Sequence, residues 1–257
     1  MTGCKRGGLF IQFMQRLAPL GLAITAWHFM FAGQSRVPLT LRCIIGKGWG
    51  QGPQHSQSLH TICSHFPGLR VALPSSASQA KGLLLNSIFC DDPVVLFEAR
   101  PLFDLEEEVP EPPYLYPLGK AKVVQEGSEI TVVAISYLVE SARKAVRELS
   151  EEGISVELID LVSSSPVDYQ TVCHSVKKTG RLIVLDISWG PLGLASEISA
   201  EVNERLFGEL RSSIVRMTLP FYPAPTSAVL EGQYYLTVED IVRKCKQVLK
   251  EIKIKGK

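Results

Sequence analysis

From Val37 onward the sequence alternates short Val/Ile/Leu-rich runs with longer amphipathic segments, and this alternation restricts the fold more than any other feature. Apolar runs bounded by Pro or Gly read as strands, and apolar residues recurring every three or four positions read as helices. Strands are predicted at 38–45, 69–73, 94–98, 130–135, 156–161, 182–185 and 214–217. Helices are predicted at 56–65, 77–89, 138–152, 169–178, 194–207 and 238–252. Ser75, Ser76 and Asp168 stand where N-caps are expected, and Gly153 and Gly180 where helices end. The pattern predicts an α/β protein with mainly parallel sheets covered by helices on both faces.

One stretch breaks the rhythm. Residues 100–120 hold Pro101, Pro110, Pro112, Pro113 and Pro117 around the acidic run Glu106-Glu107-Glu108. Proline at that density predicts an extended linker. The expected organisation is a domain over 1–105, a linker over 106–118 and a second domain over 119–257. A chain of 257 residues can bury a core in each.

The net charge of +1 gives no case for a nucleic-acid partner. Six scattered cysteines without a CxxC pair read as reduced, mostly buried thiols of an intracellular protein. No residue between Arg16 and Arg36 is charged. That run is long enough for a membrane segment or a signal peptide. Pro19, Gly21, Thr25, His28 and Gln34 interrupt it, and the expectation is a buried or interface helix.

The chemistry concentrates after the first strand, in Gly46-Lys47-Gly48-Trp49-Gly50-Gln51-Gly52-Pro53-Gln54-His55-Ser56-Gln57. Glycine lets backbone approach a ligand closely, and such loops lie at the carboxyl ends of strands, where α/β sheets bind ligands. His55 can move a proton near neutral pH, or merely hydrogen-bond a neighbour as a loop residue. His28, His60, His65 and His174 read as packed or solvated, without metal-ligand spacing. Gly190-Pro191-Leu192-Gly193 before a helix reads as a phosphate cradle or as a close-packed turn at an interface. Residues 223–227 read as a surface loop.

Gly-Pro-Gln-His-Ser-Gln, His65-Phe66-Pro67-Gly68-Leu69-Arg70-Val71, Glu108-Val109-Pro110, Gln125-Glu126-Gly127-Ser128, Asp160-Leu161 and Ala195-Ser196-Glu197-Ile198 follow one another in an order that resembles the β subunit of thiamine-diphosphate-dependent 2-oxo acid dehydrogenases. The resemblance implies a pyrimidine-binding-type domain, shortened at its N-terminus, followed by a transketolase C-terminal-type domain. It implies oxidative decarboxylation of a 2-oxo acid with acyl transfer to a lipoyl group. The cofactor would be thiamine diphosphate with Mg²⁺, shared with an α subunit, because the family's Gly-Asp-Gly motif for Mg²⁺ and diphosphate is absent here. A lipoyl acyltransferase core would be a further partner, and a hetero-oligomer or dimer the expected assembly. The compartment would be the cytoplasm of a bacterium or the mitochondrial matrix of a eukaryote.

Residue by residue, the resemblance makes His55 the catalytic position, Gln54 its cofactor-side neighbour and Phe13 the aromatic near the pyrimidine ring. A K⁺ site would be built from the carbonyls of Leu39, Ser87, Ile88, Cys90 and Asp92. Oxygen ligands suit such a hard cation. Cys90 stands where the family commonly has Asp, and Asp92 where it has Asn. Ala18-Pro19 replaces a helical Asp-Gln pair, and the family's cofactor-activating glutamate has no counterpart before Glu98. These departures leave room for a non-catalytic, truncated paralogue acting in assembly. The apolar N-terminal run leaves room for a membrane-anchored protein.

Overall fold

A computed structural model describes residues 26–47 and 50–250. In chain order the elements are β1 (Thr40–Ile45), α1 (Gly52–His55), α2 (His60–Ser64), β2 (Arg70–Ala72), α3 (Ala77–Phe89), β3 (Val94–Ala99), β4 (Lys122–Gln125), β5 (Ile130–Ala134), α4 (Leu138–Glu151), β6 (Val156–Asp160), β7 (Ser163–Ser165), α5 (Tyr169–Thr179), β8 (Leu182–Trp189), α6 (Leu194–Leu206), β9 (Val215–Leu219), α7 (Ala228–Tyr234) and α8 (Val238–Lys250). They form two sheets, of strand order β1-β3-β2-β7 and β4-β6-β5-β8-β9. Pairing is parallel except at β2–β7 and β4–β6, so the α/β expectation with mainly parallel sheets holds.

The strongest apolar runs became the central strands. Every residue of β5 and β6 is buried, as is β8 up to Ser188. α4 presents Leu138, Val139, Ala142, Ala145, Val146 and Leu149 to the sheet. That spacing is one helical face. Thr131, in the middle of β5, bonds Ser175 and Thr179 at 2.7 Å each, which ties α5 to the sheet without leaving a buried hydroxyl unpaired. Ser76 caps α3 by accepting from Gln79 N, Asp168 caps α5 by accepting from Thr171 N, and Gly180 ends α5 at φ +71°.

Three elements go beyond the sequence expectation. β4 is a short edge strand, irregular in register. α7 is only seven residues long. β7 is Ser163-Ser164-Ser165 from the second half of the chain, yet it pairs antiparallel with β2 and completes the first sheet. The expected helix at 56–65 is instead α1 and α2, separated at Ser56–Leu59. Ser56, Ser58 and His60 are buried there, so the chain turns inward rather than continuing one exposed helical face.

The two halves interlock through polar groups. Ser75 Oγ and Gln79 Nε2 donate to Asp160 Oδ2 at 2.6 and 2.7 Å, and Val162 N donates to Asp160 Oδ1 at 3.1 Å. Burial raises the Asp160 carboxyl above its usual range, and these three donors act the other way. Ser165 Oγ donates to Leu69 O at 2.8 Å, and Leu73 N donates to Val162 O at 2.8 Å. The proline-rich stretch lies along α3. Tyr114 OH donates to Ser78 O at 2.6 Å, Asn86 Nδ2 to Tyr116 O at 2.6 Å, and Tyr116 N to Gly82 O at 3.1 Å.

At the N-terminal side, residues 26–30 are helical. Phe29 and Met30 are 88% and 69% exposed, so within one chain this end of the expected buried or interface helix is not buried. The rest of that run lies outside the described residues. Among the described residues, no helix is long and apolar enough to cross a membrane.

Candidate active site

The carboxyl ends of β1 and β3 carry the glycine-rich loop and Arg100 respectively. Gly46, Gly50 and Gly52 have φ of +85°, +60° and +66°, in the left-handed region that favours glycine. Pro53, in the first turn of α1, fits the missing N–H of a helix start. His55 closes that short helix. Gln54 and His55 are both exposed, and among the described residues no internal hydrogen bond is recorded for either side chain. His55 and Gln54 therefore stand side by side and exposed beyond the carboxyl end of β1.

The loop is held from several directions. Arg100 Nη1 donates to Gly46 O and to His55 O, both at 2.7 Å. The Tyr235 ring comes from the end of α7, and its hydroxyl faces Ser56. Burial pushes that hydroxyl up to about 12. Lys47 Nζ lies 5.6 and 5.2 Å from the ring centres of Tyr137 and Tyr235, within cation–π range. Burial lowers the Lys47 ammonium, while Glu231 raises it. Lys47, Arg100, Asp104, Glu231, Tyr235 and Glu239 are among the residues lining a cavity of about 620 Å³ between the halves. Behind the loop His60 Nε2 sits 3.3 Å from Asp186 Oδ1, both wholly buried. His60 is therefore a packed residue, as expected.

The 223–227 segment is a mostly exposed loop, as expected, and it also touches the glycine-rich loop. Ala224 is buried, and Thr226 packs on Gly50 and Gly52. A Cβ on Gly52 would overlap Thr226 Oγ1 and lie 3.4 Å from Thr226 Cβ. Gly52→Ala should therefore cost about 2 kcal/mol, roughly half from the positive φ and half from the clash. Thr226→Ala in the same chain should recover the steric half. Denaturant unfolding of the double-mutant cycle measures it, and purely additive losses would count against this packing.

The five residues of the expected K⁺ site lie at the other end of the first sheet. Leu39 precedes β1, Ser87 and Ile88 are in the last turn of α3, Cys90 is its C-cap and Asp92 precedes β3. Leu39 O already accepts from Val94 N at 2.8 Å, and the Asp92 carboxylate is paired with Arg70 at 2.7 Å. Any cation there would depend on carbonyl lone pairs, and among the described residues no group of three or more His, Cys, Asp or Glu could hold a metal ion. Phe13 lies outside the described residues. At the turn before α6, a Cβ on Gly193 would collide with Trp189 O and come within 3.2 Å of Asp186 Oδ2. That is a close-packed turn, and the Ala195 N–H at the start of α6 already donates to Asp186 Oδ2 at 3.1 Å.

Sequence reasoning missed Arg100, Thr226 and Tyr235. Only Arg100 carried a signal, as a cation at the carboxyl end of a predicted strand.

The model of the transketolase pyrimidine-binding domain matches residues 6–104, and that of the transketolase C-terminal domain matches residues 119–241. The chain is 40% identical over 225 residues to the acetoin:2,6-dichlorophenolindophenol oxidoreductase subunit beta of Bacillus subtilis, covering 88% of this chain and 66% of that one. It is 35% identical over 226 residues to the pyruvate dehydrogenase E1 component subunit beta of Porphyra purpurea, covering 88% and 68%. It is 39% identical over 224 residues to the mitochondrial pyruvate dehydrogenase E1 component subunit beta-1 of Arabidopsis thaliana, covering 86% and 62%. The chain thus spans about two thirds of the length of these relatives. A solved structure described as a split gene transketolase, inactive beta4 tetramer, superposes with a TM-score of 0.69 at 20% identity, over 90% of this chain and 73% of that one. That likeness concerns the fold.

Proposed function

The chain belongs to the transketolase-like family, in the branch of pyruvate and acetoin dehydrogenase β subunits, and from that premise we propose that it is the β subunit of a 2-oxo acid dehydrogenase. The reaction is thiamine-diphosphate-dependent oxidative decarboxylation with acyl transfer to a lipoyl group. The observation that carries this reading is His55, exposed on a pinned loop at the carboxyl end of β1.

The residues present suit one wall of a cofactor site. Exposed Gln54 and His55 offer polar groups at a sheet end. When bound, thiamine diphosphate supplies a carbon nucleophile toward the 2-oxo carbon. On the protein side, Gln54 would lie against the cofactor. His55 would hold or deliver a proton from one ring nitrogen as the acyl group leaves for the lipoyl sulfur. The loop packing against Thr226 and Tyr235 would limit water behind the histidine. Mg²⁺ and diphosphate would be held by an α subunit. K⁺ would occupy the Leu39, Ser87, Ile88, Cys90 and Asp92 carbonyls through lone pairs the sheet leaves open. In this reading 1–105 and 119–257 are the two domains, joined by 106–118. The exposed Phe29–Met30 surface would meet another subunit, since large apolar patches mark partner sites. The compartment follows the source, cytoplasm or mitochondrial matrix.

The test is co-expression with a cognate α subunit, followed by calorimetry with thiamine diphosphate and an assay of lipoyl acylation. Cofactor binding and turnover that both require the two chains are the expected result. A co-purified pair that neither binds the cofactor nor turns over would refute it.

A further inference from the structure

The stretch from Gly46 to His55 contains four glycines. Glycine has the largest backbone entropy to lose, and three of the loop's glycines adopt positive φ. A side chain at the end of such a loop keeps one position only if the backbone is pinned. Arg100 provides the pin. It follows β3 directly, with Pro101 fixing the next residue, so its own backbone is anchored to the sheet. Its Nη1 carries two hydrogens, and each goes to one carbonyl, Gly46 O and His55 O. Those carbonyls open and close the loop.

We propose that Arg100 is a positioning residue that ties the Gly46 and His55 carbonyls together beyond the ends of β1 and β3. The inference rests on His55 being the proton-handling group. Arg100 contributes no atom to the reaction. It acts by fixing where the imidazole stands, and misplacement of a catalytic group by an ångström lowers rate rather than affinity. The hydrogen bonds run from a cation to neutral carbonyls, which makes them stronger than neutral pairs. An ammonium can also donate to two acceptors, so lysine can replace arginine here. Methionine keeps an unbranched apolar stem, shorter than arginine, and removes both donors.

Two measurements test this on the full chain and on its complex with a cognate α subunit. In hydrogen–deuterium exchange, Arg100→Met should speed exchange of peptides covering 46–57 by about tenfold. Peptides covering β5 and β8 should be unchanged, and Arg100→Lys should restore most of the protection. In the complex, Arg100→Met should lower kcat by about tenfold or more, with KM for the 2-oxo acid within about twofold, and Arg100→Lys should restore kcat to within about threefold. Wild-type exchange over 46–57 in Arg100→Met overturns the inference. So does loosening spread over the whole chain, or a kcat loss that lysine does not rescue. Failure of the underlying reading would show differently, as full turnover in His55→Ala with the loop still loosened by Arg100→Met.

Discussion

His55→Ala should lower lipoyl acylation by about 10²-fold or more while leaving the unfolding midpoint nearly unchanged. Proton transfer by a positioned side chain contributes about 10²- to 10⁴-fold. The imidazole is exposed, and no internal bond is recorded for it among the described residues, so its removal takes little from the core. The backbone contact made by Arg100 goes to the His55 carbonyl and survives the substitution. Single-turnover acylation in the assembled complex measures the loss, beside thermal unfolding of the same sample. Unchanged turnover in a complex proven active would remove His55 from the chemistry. A large drop in midpoint would show that the side chain is structural instead.

The largest expected effect on stability lies far from that loop. Gly127, in the turn between β4 and β5, donates its N–H to Glu157 Oε2 at 3.2 Å. A Cβ built on it would overlap the backbone of Val156 and Glu157 at the start of β6. Backbone in a central strand cannot step aside as a side chain can. Gly127→Ala should therefore cost about 3 kcal/mol or more, at the upper end for overpacking. For a chain of this size that is a fall of roughly 6–12 °C in midpoint. Two other glycines serve as controls. A Cβ on Gly153 meets nothing within 4 Å, but φ is +79°, so Gly153→Ala should cost only about 1 kcal/mol of conformational strain. Gly232 lies inside α7 with open space around it, and Gly232→Ala should stabilise by about 0.5–1 kcal/mol. A Gly127→Ala midpoint no lower than that of Gly153→Ala would refute the steric argument.

These glycines show what a sequence carries and what it withholds. Gly127 was visible in the Gln125–Ser128 stretch, but the backbone it accommodates comes from residues thirty positions away. The central strands were legible because burial on both faces leaves continuous apolar runs. β7 was not, since three serines make no apolar pattern and their pairing with β2 is a matter of tertiary placement. The break at Ser56–Leu59 was hidden for a similar reason: its buried groups face the second half of the chain, where Asp186 meets His60. In the site, a glycine-rich stretch ending in histidine announced itself. The residues that steady it, Arg100, Thr226 and Tyr235, join it only through the fold.

The serine strand also sets an order of events during synthesis. The N-terminal sheet can begin as β1, β2 and β3 once residue 99 has left the ribosome, but β2 then keeps a bare edge. That edge stays open until residue 165 emerges, and unpaired strand edges are where nascent chains associate wrongly. The proline-rich strap is made in between, and its hydrogen bonds go to α3; the strand that pairs with β2 is β7. A gene split within 106–118, however natural it looks by composition, would leave the N-terminal product waiting for a strand encoded elsewhere.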